Sequence, residues 1–283
     1  MVTLKDYGEY ETAWCPGCGN FNLLDAVKDA LVKQGLKPHQ VLFVSGIGQA
    51  AKAPHYLNAN LFNGLHGRAL PVATGAKLVN PDLAVIAESG DGCMYGEGGN
   101  HFLSAIRRNI DITVLVHNNQ VYGLTKGQAS PTSDKGFITK TQPEGVIPVP
   151  FNPVATAISL HAGFVARSFT GMKEHLTAMI IEAMNHRGFA IVDILQPCVS
   201  FNHVNTFKWY KERCTELPTG YDPLNWVSAM EKSQIWGDEI PVGIFYKNNR
   251  PSFEGNFSVL ENGPLAGRGV NHLKLAEIMS YYL

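Results

Sequence analysis

LAVIAESGDG, residues Leu83 to Gly92, decides the reading of this chain, together with ITVLVHNN, residues Ile112 to Asn119. Each is an apolar run of strand length that stops at small or hydrogen-bonding residues. Between them, Gly98 to Asn109 has helical periodicity. Strand, helix and strand of these lengths make a parallel unit, so both strand ends lie side by side where open α/β sheets bind ligands. Gly90 and Gly92 let the main chain approach a diphosphate closely and turn its N–H groups toward it. Asp91 supplies a hard carboxylate and Asn119 a hard amide oxygen. With a main-chain carbonyl and phosphate oxygens they complete an octahedral Mg²⁺ site. Either half alone is an ordinary turn; the two together point to a diphosphate-bearing cofactor.

The same pattern continues in both directions. VLFVS (Val41 to Ser45), FVARS (Phe164 to Ser168) and AIVDIL (Ala190 to Leu195) read as buried strands. Phe21 to Val32, Gly67 to Leu78, Pro153 to His161 and Met172 to His186 read as helices. The predicted fold is α/β, a doubly wound and mainly parallel sheet. Residues 1–200 form the ligand-binding domain. Residues 201–283, aromatic and Pro-rich with a weaker pattern, read as an extension packing on the same domain or on a partner. The Gly, Pro, Ser and Thr-rich stretch from Tyr122 to Pro150 reads as a loop, and from Gly127 onward as a lid or subunit contact.

The chain has 283 residues, 23 basic against 24 acidic, for a net charge of −1. That balance argues against a general nucleic-acid binder. No apolar run reaches membrane-spanning length. The opening MVTLKDYGEY lacks a basic-then-apolar export signal, which predicts a cytoplasmic protein. Charged residues make up 17% of the chain, against about 25% in an average soluble protein, so a partner is expected to cover much of the surface.

Five cysteines, an odd number, do not suit a disulfide scaffold in a cytoplasmic chain. Cys15 and Cys18 sit in WCPGCGN, where Pro16 and Gly17 provide a turn that aims two thiols at one point. Metal or cluster ligation competes there with a redox dithiol or two buried thiols. A zinc site would want a second such pair, and the sequence has none.

WCPGCGN, SGIG (Ser45 to Gly48), HGRA (His66 to Ala69), GDG with GGNH (Gly98 to His101), RRN (Arg107 to Asn109), NNQVYGLTKGQASPTS (Asn118 to Ser133) and PCVSFN (Pro197 to Asn202) follow in one order. The set resembles the β subunit of the 2-oxoacid:ferredoxin oxidoreductases, which carry thiamine diphosphate and a [4Fe–4S] cluster. The resemblance implies that Asp91, Asn119 and the Val121 carbonyl bind Mg²⁺. It implies that Gly90, Gly92, Cys93, Gly123, Leu124 and Thr125 line the diphosphate site. Ile47 and His66 would lie beside the cofactor rings, with a hydrogen-bonded structural histidine as the alternative reading of His66. Cys15, Cys18 and Cys198 match three of the family's four cluster cysteines. At the fourth position stands Gln49, a poor iron ligand beside a thiolate. A cluster with three cysteines and a weaker or solvent ligand, recruitment of Cys214 from KERCTEL, and a degraded or absent cluster remain open. Cys93 reads as a small packing residue beside the diphosphate loop.

The implied activity is oxidative decarboxylation of a 2-oxoacid with coenzyme A, giving acyl-CoA, CO₂ and reduced ferredoxin. The implied partner is an α subunit carrying the pyrimidine-binding domain, in an (αβ)₂ or larger assembly. A second such domain does not fit in 283 residues, so the chain alone is expected to be inactive. Lys52 and Arg68 are candidate partners for a substrate carboxylate, which would suit 2-oxoglutarate with Leu124 shaping the pocket. The rival readings are a non-redox thiamine diphosphate decarboxylase or synthase subunit and a non-catalytic electron-transfer or zinc-stapled binding protein.

Overall fold

The protein is described by a computed structural model that covers residues 1–269 and 271–282. The strands are β1 (Val41–Ser45), β2 (Asn60–Asn63), β3 (Ala84–Gly90), β4 (Ile112–Asn118), β5 (Val121–Tyr122), β6 (Gln128–Ala129), β7 (Phe164–Phe169), β8 (Phe189–Leu195), β9 (Cys214–Glu216) and β10 (Ile240–Lys247). The helices are α1 (Gly19–Lys33), α2 (Ala69–Val79), α3 (Gly99–Arg108), α4 (Pro153–Ser159), α5 (Lys173–Asn185), α6 (Phe207–Arg213), α7 (Trp226–Ser233) and α8 (His272–Ser280). Eight strands form one sheet in the order β2-β1-β3-β4-β8-β7-β10-β9. From β2 to β7 all neighbours are parallel, and β10 joins β7 antiparallel.

Both faces of the sheet are covered. On one, Leu23, Val27 and Leu31 of α1 and Leu176 and Ile180 of α5 pack on Phe43, Ile86 and Val192. On the other, Leu70 of α2, Phe102 and Ile106 of α3 and Ala229 of α7 pack on Val44, Val114 and Ile191. Strands buried on both faces explain why the sequence shows continuous apolar runs instead of alternation. The doubly wound, mainly parallel α/β sheet expected from the sequence is present.

The differences lie at edges and ends. β2 is exposed along its whole length, so no apolar pattern announces it. Residues after 201 contribute β9 and β10 to the sheet itself. Pro241 and Gly243 interrupt the pattern of β10. Its first residues pair with β9 and its later ones with β7, so the missing Pro241 N–H costs no bond to β7. The strand changes partner at Gly243, where φ is +131°. Cys214 starts β9. α8 buries none of its side chains, and Leu273, Leu275, Ile278 and Met279 are exposed. Among the described residues no helix is long and apolar enough to cross a membrane.

Candidate active site

The carboxyl ends of β1, β3 and β4 open onto one cleft. β1 contributes Ile47, Gly48 and Gln49; β3 contributes Gly90, Asp91, Gly92 and Cys93. Past β4 come Asn119, Val121, Gly123, Leu124 and Thr125, and His66 closes the side before α2. All eleven residues expected around the cofactor therefore share one cleft. Beyond Asp91 the chain turns at once into a π-helical turn, Gly92–Glu97, which runs into α3. π-Turns of this kind recur at functional sites.

Two close approaches fix the cleft's shape. A Cβ on Gly46 would stand 2.3 Å from Cys93 Sγ, and one on Gly92 would stand 2.2 Å from the Tyr122 ring. Those two glycines are required by protein packing. Gly48 and Gly123 differ, since nothing lies within 4 Å of where their side chains would be. Both line the cleft, so their missing side chains leave room for a ligand, as a diphosphate against bare main chain needs.

Asp91 is buried at 2% exposure. Its Oδ2 lies 2.6 Å from Ser130 Oγ and 2.5 Å from Thr132 Oγ1, both donors. Burial pushes the Asp91 carboxyl up to about 6, and the two hydroxyls act the other way. A divalent cation at this carboxylate would lower it again. Asn119 Oδ1 accepts from Val121 N at 3.0 Å, which holds the amide at the bend between β4 and β5. Thr132 Oγ1 also lies 2.9 Å from Asn118 Oδ1, and Asn118 Nδ2 donates to Asp193 at 3.1 Å. Asp193 takes a further bond from Tyr95 and faces Arg167 at 3.5 Å. Burial raises the Asp193 carboxyl and the Arg167 guanidinium opposes that rise.

Ser130, Thr132 and Ser133 form a buried strap beneath the site, with Ser133 Oγ donating to Gln120 O at 2.5 Å. The first part of the stretch read as a lid is thus packed in place. The exposed apolar residues Ile138, Ile147 and Val149 come later. Glu97 and Tyr122 also escaped the sequence reading. Glu97 Oε2 lies 3.0 Å from His66 Nδ1 and accepts from Tyr122 OH at 3.1 Å. No motif marks them, because π-helical packing is what brings Glu97 back to His66.

A second cavity adjoins the first. Trp14, Cys15, Cys18 and Asn20 form one wall, and Gln196, Cys198, Val199, Ser200 and Phe201 another. Gln49, Asn119 and Gly123 line both cavities. The pairing of WCPGC with PCVSF is tertiary: Cys18 caps the start of α1, and Cys198 follows β8. All five cysteines are free. Burial pushes the Cys18 thiol up to about 11, with Cys198 and Cys15 adding to the rise. A metal must therefore displace its proton. Among the described residues no three His, Cys, Asp or Glu side chains stand close enough for a single metal ion. A cluster spreads its irons over a wider cage, and the soft donor set suits iron and sulfide. Gln49 Oε1 is buried here without a hydrogen-bond partner.

Cys214 lines neither cavity and packs with Phe169, Leu195, Tyr210 and Ile240. Lys52 sits half-buried in the 3₁₀ segment Ala50–Tyr56, and Arg68 is exposed at the start of α2. Neither lines either cavity.

A family model described as the C-terminal TPP-binding domain of thiamine pyrophosphate enzymes matches residues 41–194, from the first residue of β1 into β8. A second, for the C-terminal part of the pyruvate ferredoxin oxidoreductase β subunit, matches residues 198–262. The 2-oxoacid:ferredoxin oxidoreductase subunit beta of a Sulfolobus species is 46% identical over 255 residues, covering 85% of this chain and 84% of the relative. The chain belongs to the 2-oxoacid:ferredoxin oxidoreductase β-subunit family.

The β subunit of the same name from Saccharolobus solfataricus is 45% identical over 270 residues, covering 89% of this chain and 88% of its own. A solved structure described as 2-oxoglutarate:ferredoxin oxidoreductase from Magnetococcus marinus, with 2-oxoglutarate, coenzyme A and succinyl-CoA bound, superimposes with a TM-score of 0.91 at 35% identity. The match covers 98% of this chain and 96% of that one. The family is one of thiamine diphosphate oxidoreductases that act as complexes, so this β subunit works with an α partner. Membership supports the redox reading and not the non-redox decarboxylase or synthase.

Proposed function

We propose that this β subunit is the thiamine diphosphate-, Mg²⁺- and cluster-binding half of an enzyme that oxidatively decarboxylates a 2-oxoacid with coenzyme A, forming acyl-CoA, CO₂ and reduced ferredoxin. The observation that carries this is the shared wall: Gln49, Asn119 and Gly123 belong both to the glycine-lined cleft and to the cysteine cavity. Thiamine diphosphate supplies the electron sink for decarboxylation, and the cluster supplies the one-electron outlet.

Asp91, Asn119 and the Val121 carbonyl hold Mg²⁺, with Ser130 and Thr132 fixing the carboxylate. Main-chain groups of Gly92 and Gly123 to Thr125 receive the diphosphate, while Ile47 and His66 flank the rings. The Glu97 carboxylate stands 3.0 Å from His66 Nδ1, which leaves Nε2 for the cofactor. Cys15, Cys18 and Cys198 hold the cluster. Lys52 and Arg68 line neither cavity of this chain, so either would meet the substrate carboxylate only at a mouth completed by the α subunit. A dicarboxylic 2-oxoacid of the 2-oxoglutarate class fits a cation there, and the structurally similar protein has 2-oxoglutarate bound. The α subunit contributes the pyrimidine side and covers Ile138, Ile147 and Val149.

The test is the αβ complex purified without oxygen and analysed for iron, sulfide, Mg²⁺ and thiamine diphosphate. A panel of 2-oxoacids, each with coenzyme A and a viologen or ferredoxin acceptor, then reads the substrate. Stoichiometric thiamine diphosphate, iron and sulfide with fastest turnover on 2-oxoglutarate is expected. A colourless complex free of iron and sulfide overturns the redox assignment. Preference for pyruvate or a branched-chain acid overturns only the substrate class.

A further inference from the structure

We infer that the iron–sulfur site of this chain is site-differentiated: Cys15, Cys18 and Cys198 each hold one iron, while the fourth iron faces the Gln49 amide and is exchangeable. The inference rests on the cluster reading above. A four-iron cluster needs four ligands, and thiolates are the strong ones. The cavity presents three thiols. The other two are engaged elsewhere. Cys93 is 3% exposed, and its Sγ accepts from Gly67 N at 3.2 Å. Cys214 is fixed in β9 by pairing with Ile240 and lies against the Phe169 and Tyr210 rings.

Gln49 fills the remaining side. Its main chain is anchored, since Gln49 O accepts from Trp14 Nε1 at 2.9 Å, and Trp14 stands edge-on to Phe21 and Tyr56. Its Oε1 is a buried acceptor with no donor, on a residue that lines the cavity. Buried polar atoms are almost always paired, so an orphan at this place calls for a partner from outside the chain. An amide oxygen is neutral and hard, hence a weak ligand for iron in a sulfide cage. The fourth iron is therefore held least, and it lies on the wall shared with the cofactor cleft.

Lability has a balanced chemical form. Ferricyanide removes one electron from the [4Fe–4S]²⁺ state and becomes ferrocyanide. The oxidised cluster then expels Fe²⁺ and leaves [3Fe–4S]⁺. Adding Fe²⁺ and a reductant such as dithionite returns the iron and the electron.

The experiment titrates the anaerobic αβ complex with ferricyanide while EPR and a ferrous chelator record the products. The wild type is expected to give the [3Fe–4S]⁺ signal and release one Fe²⁺ per cluster, reversibly. Gln49→Cys is expected to suppress both by at least tenfold. A wild-type complex that keeps four irons through the titration overturns the inference, as does a Gln49→Cys variant that releases iron like the wild type. Should Gln49→Cys fail to assemble, cyanide added to the dithionite-reduced wild type decides. An altered cluster EPR spectrum supports an exchangeable iron, and an unchanged one refutes it. A complex isolated without iron or sulfide defeats the cluster reading itself, a different result from an oxidation-resistant four-iron cluster.

Discussion

On the Asp91 side of the shared wall, the carboxylate takes two hydroxyl donors and Asn119 Oδ1 takes the Val121 amide. On the cysteine side, Cys15 Sγ accepts from Ser200 Oγ at 3.1 Å, the Gln196 amide stays 3.9 Å from Cys18 Sγ, and Gln49 Oε1 accepts nothing. The first cavity is built around its hard ligands by a strap reaching across from Ser130 to Ser133. The second brings its ligands from two loops and leaves one corner weak. Hard-ion geometry tolerates little error, whereas a sulfide cage supplies most of its own bonding. The molecule has put its rigidity at the carboxylate proposed to hold the cation.

If that contrast is right, damage on the Asp91 side should remove everything and damage on the cysteine side only the electron outlet. Asp91→Ala deletes a direct ligand, so its cost should exceed the roughly 10–100-fold typical of outer partners of a metal site. A fall of about a thousandfold in turnover is expected, with thiamine diphosphate lost on gel filtration. Cofactor retained at wild-type stoichiometry would break the assignment.

Cys198→Ser should lower iron content and cut ferredoxin or viologen reduction by about a hundredfold, at the top of the outer-partner range. Bound thiamine diphosphate should stay unchanged. If thiamine content falls in parallel, the two cavities are one folding unit and the contrast between them fails.

Thr132→Val tests the strap. It removes a hydroxyl 2.5 Å from Asp91 Oδ2 and 2.9 Å from Asn118 Oδ1 while keeping nearly the same volume. As an outer partner, it should weaken apparent Mg²⁺ affinity by about 10–100-fold and leave iron untouched. Excess Mg²⁺ should restore turnover. A variant that excess Mg²⁺ cannot rescue would show the strap to be structural only.

What the sequence disclosed follows the same division. β1, β3, β4 and β8 were legible because both their faces are buried, giving apolar runs that end in glycine, asparagine or glutamine. Their ends carried the cleft residues with them. The strap lies within NNQVYGLTKGQASPTS, yet its role was not legible: Ser130 and Thr132 lie about 40 positions from Asp91, and only the fold brings hydroxyls to carboxylate. β2 escaped because it is exposed on both faces. β10 escaped because Pro241 and Gly243 break a strand that changes partners midway. The Arg167–Asp193 pair was invisible for a different reason. Each charge sits alone in an apolar run, and only adjacency of β7 and β8 pairs them.

The smallest effect expected is at Cys214, and it bears directly on the weak corner. If this thiol were the missing ligand, the cysteine side would be as complete as the Asp91 side. Its place in β9, paired to β10 and packed on Phe169 and Tyr210, would have to be abandoned for it to reach the cavity. Burial pushes the Cys214 thiol up to about 12, so near neutral pH almost none of it is the reactive thiolate. In iron-free protein, iodoacetamide should therefore modify exposed Cys15 well before Cys214. Alkylation of Cys214 should speed up about tenfold per pH unit between roughly pH 7 and 10, because its thiolate fraction grows at that rate well below the pKa. Cys214→Ser should leave iron content and ferredoxin reduction unchanged, at a stability cost of about 1 kcal/mol. A variant that loses one iron per cluster would move the fourth ligand from Gln49 to Cys214 and erase the difference between the two cavities.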